Sequence, residues 1–125
     1  MSKQSVWTDK IPKSANPFSL GIKANGFLFV SGQVGKDKNG KIVDGFSGQV
    51  HQTMENIKLI IETAGSSMSD VVMATIYITD IALMPEMNEI YRQYFDGDFP
   101  ARATVEVSRL GQSFDIEIAV VALCE

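Results

Sequence analysis

A guanidinium and a carboxylate in the last quarter of the chain are the side chains best suited to act together. Arg102 opens an alternating run, Phe99-Pro100-Ala101-Arg102-Ala103-Thr104-Val105-Glu106-Val107, and Glu117 lies in the next one, Phe114-Asp115-Ile116-Glu117-Ile118. The period of two marks both runs as strands. On this reading they form a closing hairpin. Ala103, Val105 and Val107 share one face with Ile116, Ile118 and Val120, while Arg102, Thr104, Glu106, Asp115 and Glu117 share the other. A planar guanidinium can hold a small carboxylate by two parallel charged hydrogen bonds. A neighbouring carboxylate can orient water and accept its proton. The same pair would also serve as a salt bridge tying two strands together, and the two residues alone leave both uses open.

The elements that must position them follow from the hydrophobic pattern. Asn16-Pro17 marks a turn, and Phe18 to Lys23 and Phe27 to Ser31 read as a hairpin across Ala24-Asn25-Gly26. Gly32-Gln33-Val34-Gly35 is expected to leave the strand, with a second turn at Asn39-Gly40. From Gly48 to Ala64 the set Val50, Met54, Ile57, Ile60, Ile61 and Ala64 falls at helical spacing, and Gly65 is a suitable stop. Asp70 to Thr79 is β-branched and alternating, hence a strand. Pro85 suits the first turn of a second helix whose stripe is Met84, Met87, Ile90, Tyr91, Tyr94 and Phe95. The order hairpin, helix, strand, helix, hairpin predicts an α+β fold, a mixed sheet with both helices on one face. The other face of the last strand continues from Glu117 through Ala119, Val121 and Leu123. That stripe is too apolar to leave in water, so self-association is expected, with Arg102 and Glu117 near a subunit boundary.

Composition removes several classes of function. With 125 residues, 45% hydrophobic and 21% charged, the chain reads as a single domain over residues 1–125. A chain of this size buries roughly two thirds of the surface that it exposes when unfolded. No apolar run approaches the ~20 residues of a membrane span, and Met1-Ser2-Lys3-Gln4-Ser5 lacks a signal-peptide core, so a cytoplasmic protein is expected. A net charge of -4 argues against broad capture of nucleic acid. Lys36, Lys38 and Lys41 around Asn39-Gly40 read most simply as a solvated loop tip. One histidine, His51, and one cysteine, Cys124, leave no zinc set, and no calcium loop or phosphate-binding glycine motif occurs. No metal or nucleotide cofactor is indicated.

Taken in order, Asn16-Pro17-Phe18-Ser19, Val30-Ser31-Gly32-Gln33-Val34, Gln52-Thr53-Met54-Glu55-Asn56-Ile57, Met87-Asn88-Glu89-Ile90-Tyr91, the Phe99 to Val107 run and Ile116-Glu117-Ile118 resemble the Rid family of reactive-intermediate deaminases, also called the YjgF or endoribonuclease L-PSP family. The resemblance implies a chorismate-mutase-like α+β subunit in a homotrimer with ligand clefts between subunits. It implies hydrolysis, without a cofactor, of 2-imino acids or their enamines, released by pyridoxal-phosphate enzymes such as threonine or serine dehydratase, to 2-keto acids and ammonium. Arg102 would anchor the substrate carboxylate and Glu117 would handle water. Phe18, Ser31, Gly32, Asn88 and Thr104 would line the cleft. Two positions depart from the best-known deaminases, which have tyrosine at Phe18 and cysteine at Thr104; both changes alter polar groups near the substrate. A non-catalytic trimer that binds small carboxylates and regulates a partner enzyme is the alternative, and RNA cleavage is less favoured given the acidic balance.

Overall fold

In the computed structural model, which describes residues 2–125, the hairpin turn expected near the start of the chain is set by Asn25 and Gly26, at φ 53° and 83°. Two consecutive left-handed residues match the twist of an antiparallel pair, here β2 (Gly21–Ala24) and β3 (Phe27–Val34). A strand not expected from the sequence, β1 (Gln4–Val6), adds to the outer edge of β2. Only three residues long, it offers too little alternation to be seen. Contrary to expectation, β3 does not end at Ser31 but runs on to Val34, passing Ser31 and Gly32 as an irregularity in its pairing with β6 (Ile116–Leu123). Such a bulge bends a strand and re-aims nearby side chains.

Helix α1 (Phe46–Thr63) begins two residues earlier than the periodicity indicates and buries Val50, Met54, Ile57, Ile60 and Ile61 completely. Each such side chain contributes roughly 1.5–3 kcal/mol by leaving water. Gly65, at φ 90°, turns the chain out of the helix toward β4 (Val71–Ile78). Helix α2 (Met84–Tyr91) has Pro85 in its first turn and tightens into a 3₁₀ turn at Arg92–Tyr94 before β5 (Ala101–Glu106). Cys124 is a buried packing residue whose thiol faces the Ala64 carbonyl at 3.5 Å. No helix among the described residues is long and apolar enough to cross a membrane.

The strands form one mixed sheet in the order β1-β2-β3-β6-β4-β5. This corrects the expected closing hairpin: β5 pairs only with β4, in parallel, and β6 lies between β3 and β4. The reason lies in the connections. Helix α2 carries the chain across one face from β4 to β5, as a parallel pair requires. Strand β6, whose Ile116, Ile118, Val120 and Ala122 are all buried, fills the centre. Strand β5, mostly exposed, takes the edge.

The facing of the side chains changes with it. Neighbours aligned across a sheet point the same way. Arg102 aligns with buried Ala74, Thr104 with Ile76 and Glu106 with Ile78, so these three project toward the helices. Glu117 aligns with Tyr77 and projects from the opposite face, together with Ala103 and Val105. Both helices cover the first face. The second carries Phe27, Phe29, Val105 and Leu123, exposed by 37%, 47%, 44% and 47%, large apolar side chains that neither helix covers.

Candidate active site

Arg102 can lie over α2 because β5 is an edge strand. Its Nη1 donates to Asn88 Oδ1 at 2.8 Å, its Nη2 faces the Met84 sulfur at 3.7 Å, and its guanidinium carbon stands 5.2 Å from the centre of the Tyr91 ring. An amide oxygen, a thioether and a ring face orient the fork, but none of them carries a negative charge. Among the described residues the one ion pair joins Arg92 to Glu89, so the Arg102 charge is not matched by a carboxylate within 4.0 Å. Asn88, Tyr91, Phe99, Pro100 and Arg102 line a cleft of about 290 Å³, with Phe99 standing out at 53% exposure and braced edge-on against Phe95.

Tyr91 belongs to this half-site although the sequence shows it only as part of an apolar stripe. Met84, Asn88 and Tyr91 occur at i, i+4 and i+7, and the one polar residue of that set is the clue that the face meets something charged. Burial pushes the Tyr91 phenol up to about 12, with Arg102 pulling weakly the other way, so it remains a hydrogen-bond donor at neutral pH. The Tyr91 and Thr104 hydroxyls are buried without a hydrogen-bond partner among the described residues, which is uncommon.

The second half-site is built on the β3 bulge. A Cβ on Gly32 would come within 2.8 Å of Glu117 Cδ and 3.0 Å of Cγ, so the absent side chain is the space that the Glu117 carboxyl occupies. The carboxyl is half-buried there, and burial raises its pKa above the ordinary value. Ser31 donates its hydroxyl to the Ser19 carbonyl at 2.6 Å and its N–H to the Leu20 carbonyl at 2.9 Å. These bonds hold the loop that carries Phe18 over the sheet. Buried Gln49 on α1 accepts from the Asp115 N–H at 2.9 Å and fixes the chain where it enters β6. Phe18, Gly32, Gln33, Gln112, Phe114 and Glu117 are among the residues around a cleft of about 200 Å³.

The expected site residues thus fall into two groups. Asn88 and Thr104 accompany Arg102; Phe18, Ser31 and Gly32 accompany Glu117. Arg102 and Glu117 do not meet within one chain, since they lie on opposite faces with β4 between their strands, and the salt-bridge reading is excluded with the hairpin. Glu106 has a structural task, accepting from the Ile81 N–H at 3.0 Å. Substituting Gly32→Ala is expected to push the Glu117 carboxyl out toward solvent. Its pKa should then move down toward the ordinary glutamate value, read by carboxyl-carbon NMR titration against wild type.

The family described as Endoribonuclease L-PSP matches residues 8–124. This chain belongs to that family. The Rid-family chain is 45% identical over 125 residues to a RutC family protein of Pyrococcus horikoshii, covering 98% of this chain and 99% of the relative. It is 34% identical over 127 residues to the 2-iminobutanoate/2-iminopropanoate deaminase of Salmonella typhimurium, covering 98% of each. The crystal structure of Escherichia coli TdcF with bound serine is similar to it, with a TM-score of 0.92, 30% identity, and 98% of this chain and 99% of that chain covered. The mixed six-stranded sheet with two helices on one face is therefore the family's fold.

Proposed function

We propose that this Rid-family chain hydrolyses 2-imino acids to 2-keto acids and ammonium in clefts formed between copies of itself. The observation that carries the reading is the Arg102 fork, oriented by Asn88, Met84 and Tyr91 with no carboxylate among the described residues within 4.0 Å to neutralise it. A cation so placed suits the carboxylate of a small substrate. The deaminase name of the Salmonella relative supports the reaction type, and serine bound to TdcF supports a small amino-acid-like ligand.

The second group that the reaction needs lies on the other face of the sheet, so a neighbouring copy supplies it. The exposed Phe27, Phe29, Val105 and Leu123 lie on the same face as Glu117, and burying them against further copies brings Glu117 of one subunit toward Arg102 of the next. A homotrimer closes these head-to-tail contacts into a ring. Within the cleft, Arg102 fixes the substrate carboxylate and thereby the adjacent imine carbon. Glu117 takes a proton from water as the water oxygen bonds to that carbon and the C=N π pair moves to nitrogen. Glu117 returns that proton to the nitrogen and then passes on the hydroxyl proton as the tetrahedral carbinolamine collapses, which breaks the C–N bond, releases ammonia and leaves the keto oxygen. Phe18 offers an aromatic wall, and Thr104 a β-branched one, where the best-known deaminases have tyrosine and cysteine.

The test is to generate 2-aminoacrylate or 2-iminobutanoate with a serine or threonine dehydratase and follow keto-acid release with and without the protein, alongside sedimentation equilibrium. Faster release by a trimer is expected. A stable monomer, or release at the uncatalysed rate, would defeat the proposal, and carboxylate binding without acceleration would favour the regulatory trimer.

A further inference from the structure

Lys36 departs from the lysine-flanked loop tip to which the sequence assigns it. Lys38 and Lys41 are exposed, whereas Lys36 is half-buried and pairs across an isolated β-bridge with Ile42. Its backbone is clamped, because the carbonyl accepts from Asn56 Nδ2 at 3.0 Å and Asn56 is itself buried. Its ammonium stands 5.7 Å from the centre of the Phe114 ring, a side chain only 5% exposed. Lys36 and Phe114 both line the cleft that holds Glu117. Among the described residues the ammonium has no carboxylate within 4.0 Å.

A second unpaired cation therefore borders the water-handling half of the site. Glu117 alone would repel any substrate with an acidic side chain, since like charges in a partly dry cleft are strongly unfavourable. Lys36 offsets that charge and adds a donor for an acidic side chain. Polar groups share the cleft with it: Ser14, Asn16 and Gln112 line the same space beside apolar Ile11, Pro12 and Phe18, and Gln112 is held in the left-handed region at φ 53° and ψ 25°. Backbone strain of this kind is found where a site constrains its loops. A purely aliphatic side chain would make no hydrogen bond with the ammonium or with these polar side chains. A terminal carboxylate would pair with them.

We infer that Lys36 makes the cleft selective for short dicarboxylic 2-imino acids, with Arg102 holding the 2-carboxylate and Lys36 the side-chain carboxylate. The inference rests on the proposed imine hydrolysis for its chemistry, but the recognition it describes extends to the corresponding 2-keto acids. Two readouts keep the claims apart. The first is kcat/KM for hydrolysis of 2-iminoglutarate and 2-iminobutanoate, each generated in place by an amino-acid oxidase. The second is the calorimetric Kd of 2-oxoglutarate and 2-oxobutanoate. Wild type is expected to favour the dicarboxylate in both. Lys36→Met should lower the dicarboxylate-to-monocarboxylate ratio about tenfold or more, the scale of one charged hydrogen bond. Lys36→Arg should recover most of it. Hydrolysis without a Lys36-dependent preference overturns this inference and leaves the imine-hydrolase proposal standing. A Lys36-dependent preference in binding without hydrolysis does the reverse. A loss on Lys36→Met that is equal for both ligands, or a wild type that prefers the monocarboxylate, also overturns it.

Discussion

Arg102→Lys is expected to lower kcat/KM for 2-iminobutanoate hydrolysis by about 10²-fold even though the positive charge is kept, and Arg102→Ala to lower it by ~10²–10³-fold. The guanidinium is oriented by three groups, Asn88 Oδ1, the Met84 sulfur and the Tyr91 ring, each meeting a different part of the planar fork. A lysine ammonium cannot present two parallel donors to a carboxylate while also satisfying the amide, so the imine carbon loses its fixed position. Steady-state kinetics with the dehydratase-coupled assay checks both variants. Wild-type rates in Arg102→Lys would mean that the site needs a charge there and no fork.

Glu117→Gln should cost ~10²–10⁴-fold in kcat/KM, the usual range for a lost general base. The pH profile separates this from a packing defect. Burial raises the Glu117 pKa above the ordinary value of 4.5, and the base is active only when ionised. In wild type, kcat/KM should therefore fall as the solution is acidified through a midpoint above that value. Glu117→Gln, with nothing to titrate there, should lose that acidic limb while its residual rate stays low. A wild-type profile that remains flat through this range would remove Glu117 from the proton transfer.

How much of this the sequence discloses depends on the range over which each signal acts. Helix α1 is readable from Val50, Met54, Ile57, Ile60 and Ile61 because a single element carries the whole pattern. The turn at Asn25-Gly26 is readable for the same reason, since its two residues fix its geometry. Strand neighbours are not. Alternation gives the two faces of β5 and of β6 separately, but it does not say which face of one matches which face of the other. That relation passes through β4, where Ala74 and Tyr77 carry it, and only the sheet order reveals it. The parity of Arg102 relative to Glu117 is accordingly misread when the strands are taken as a hairpin. Likewise Gly32 reads as the end of a strand, although it lies within β3 and faces a carboxylate 85 residues further along the chain. Tyr91 and Lys36 escape because each looks ordinary in its local company.

Because Arg102 and Glu117 leave the sheet on opposite sides, each polypeptide in the proposed ring serves two different clefts and completes neither. The unit that heredity tests is then the ring and not the chain. A copy defective at Arg102 and a copy defective at Glu117 supply what the other lacks, and where both are made in one cell, random mixing restores roughly one cleft in four. Two alleles that are each inactive alone would complement each other, a genetic signature that a site contained within one subunit could not produce.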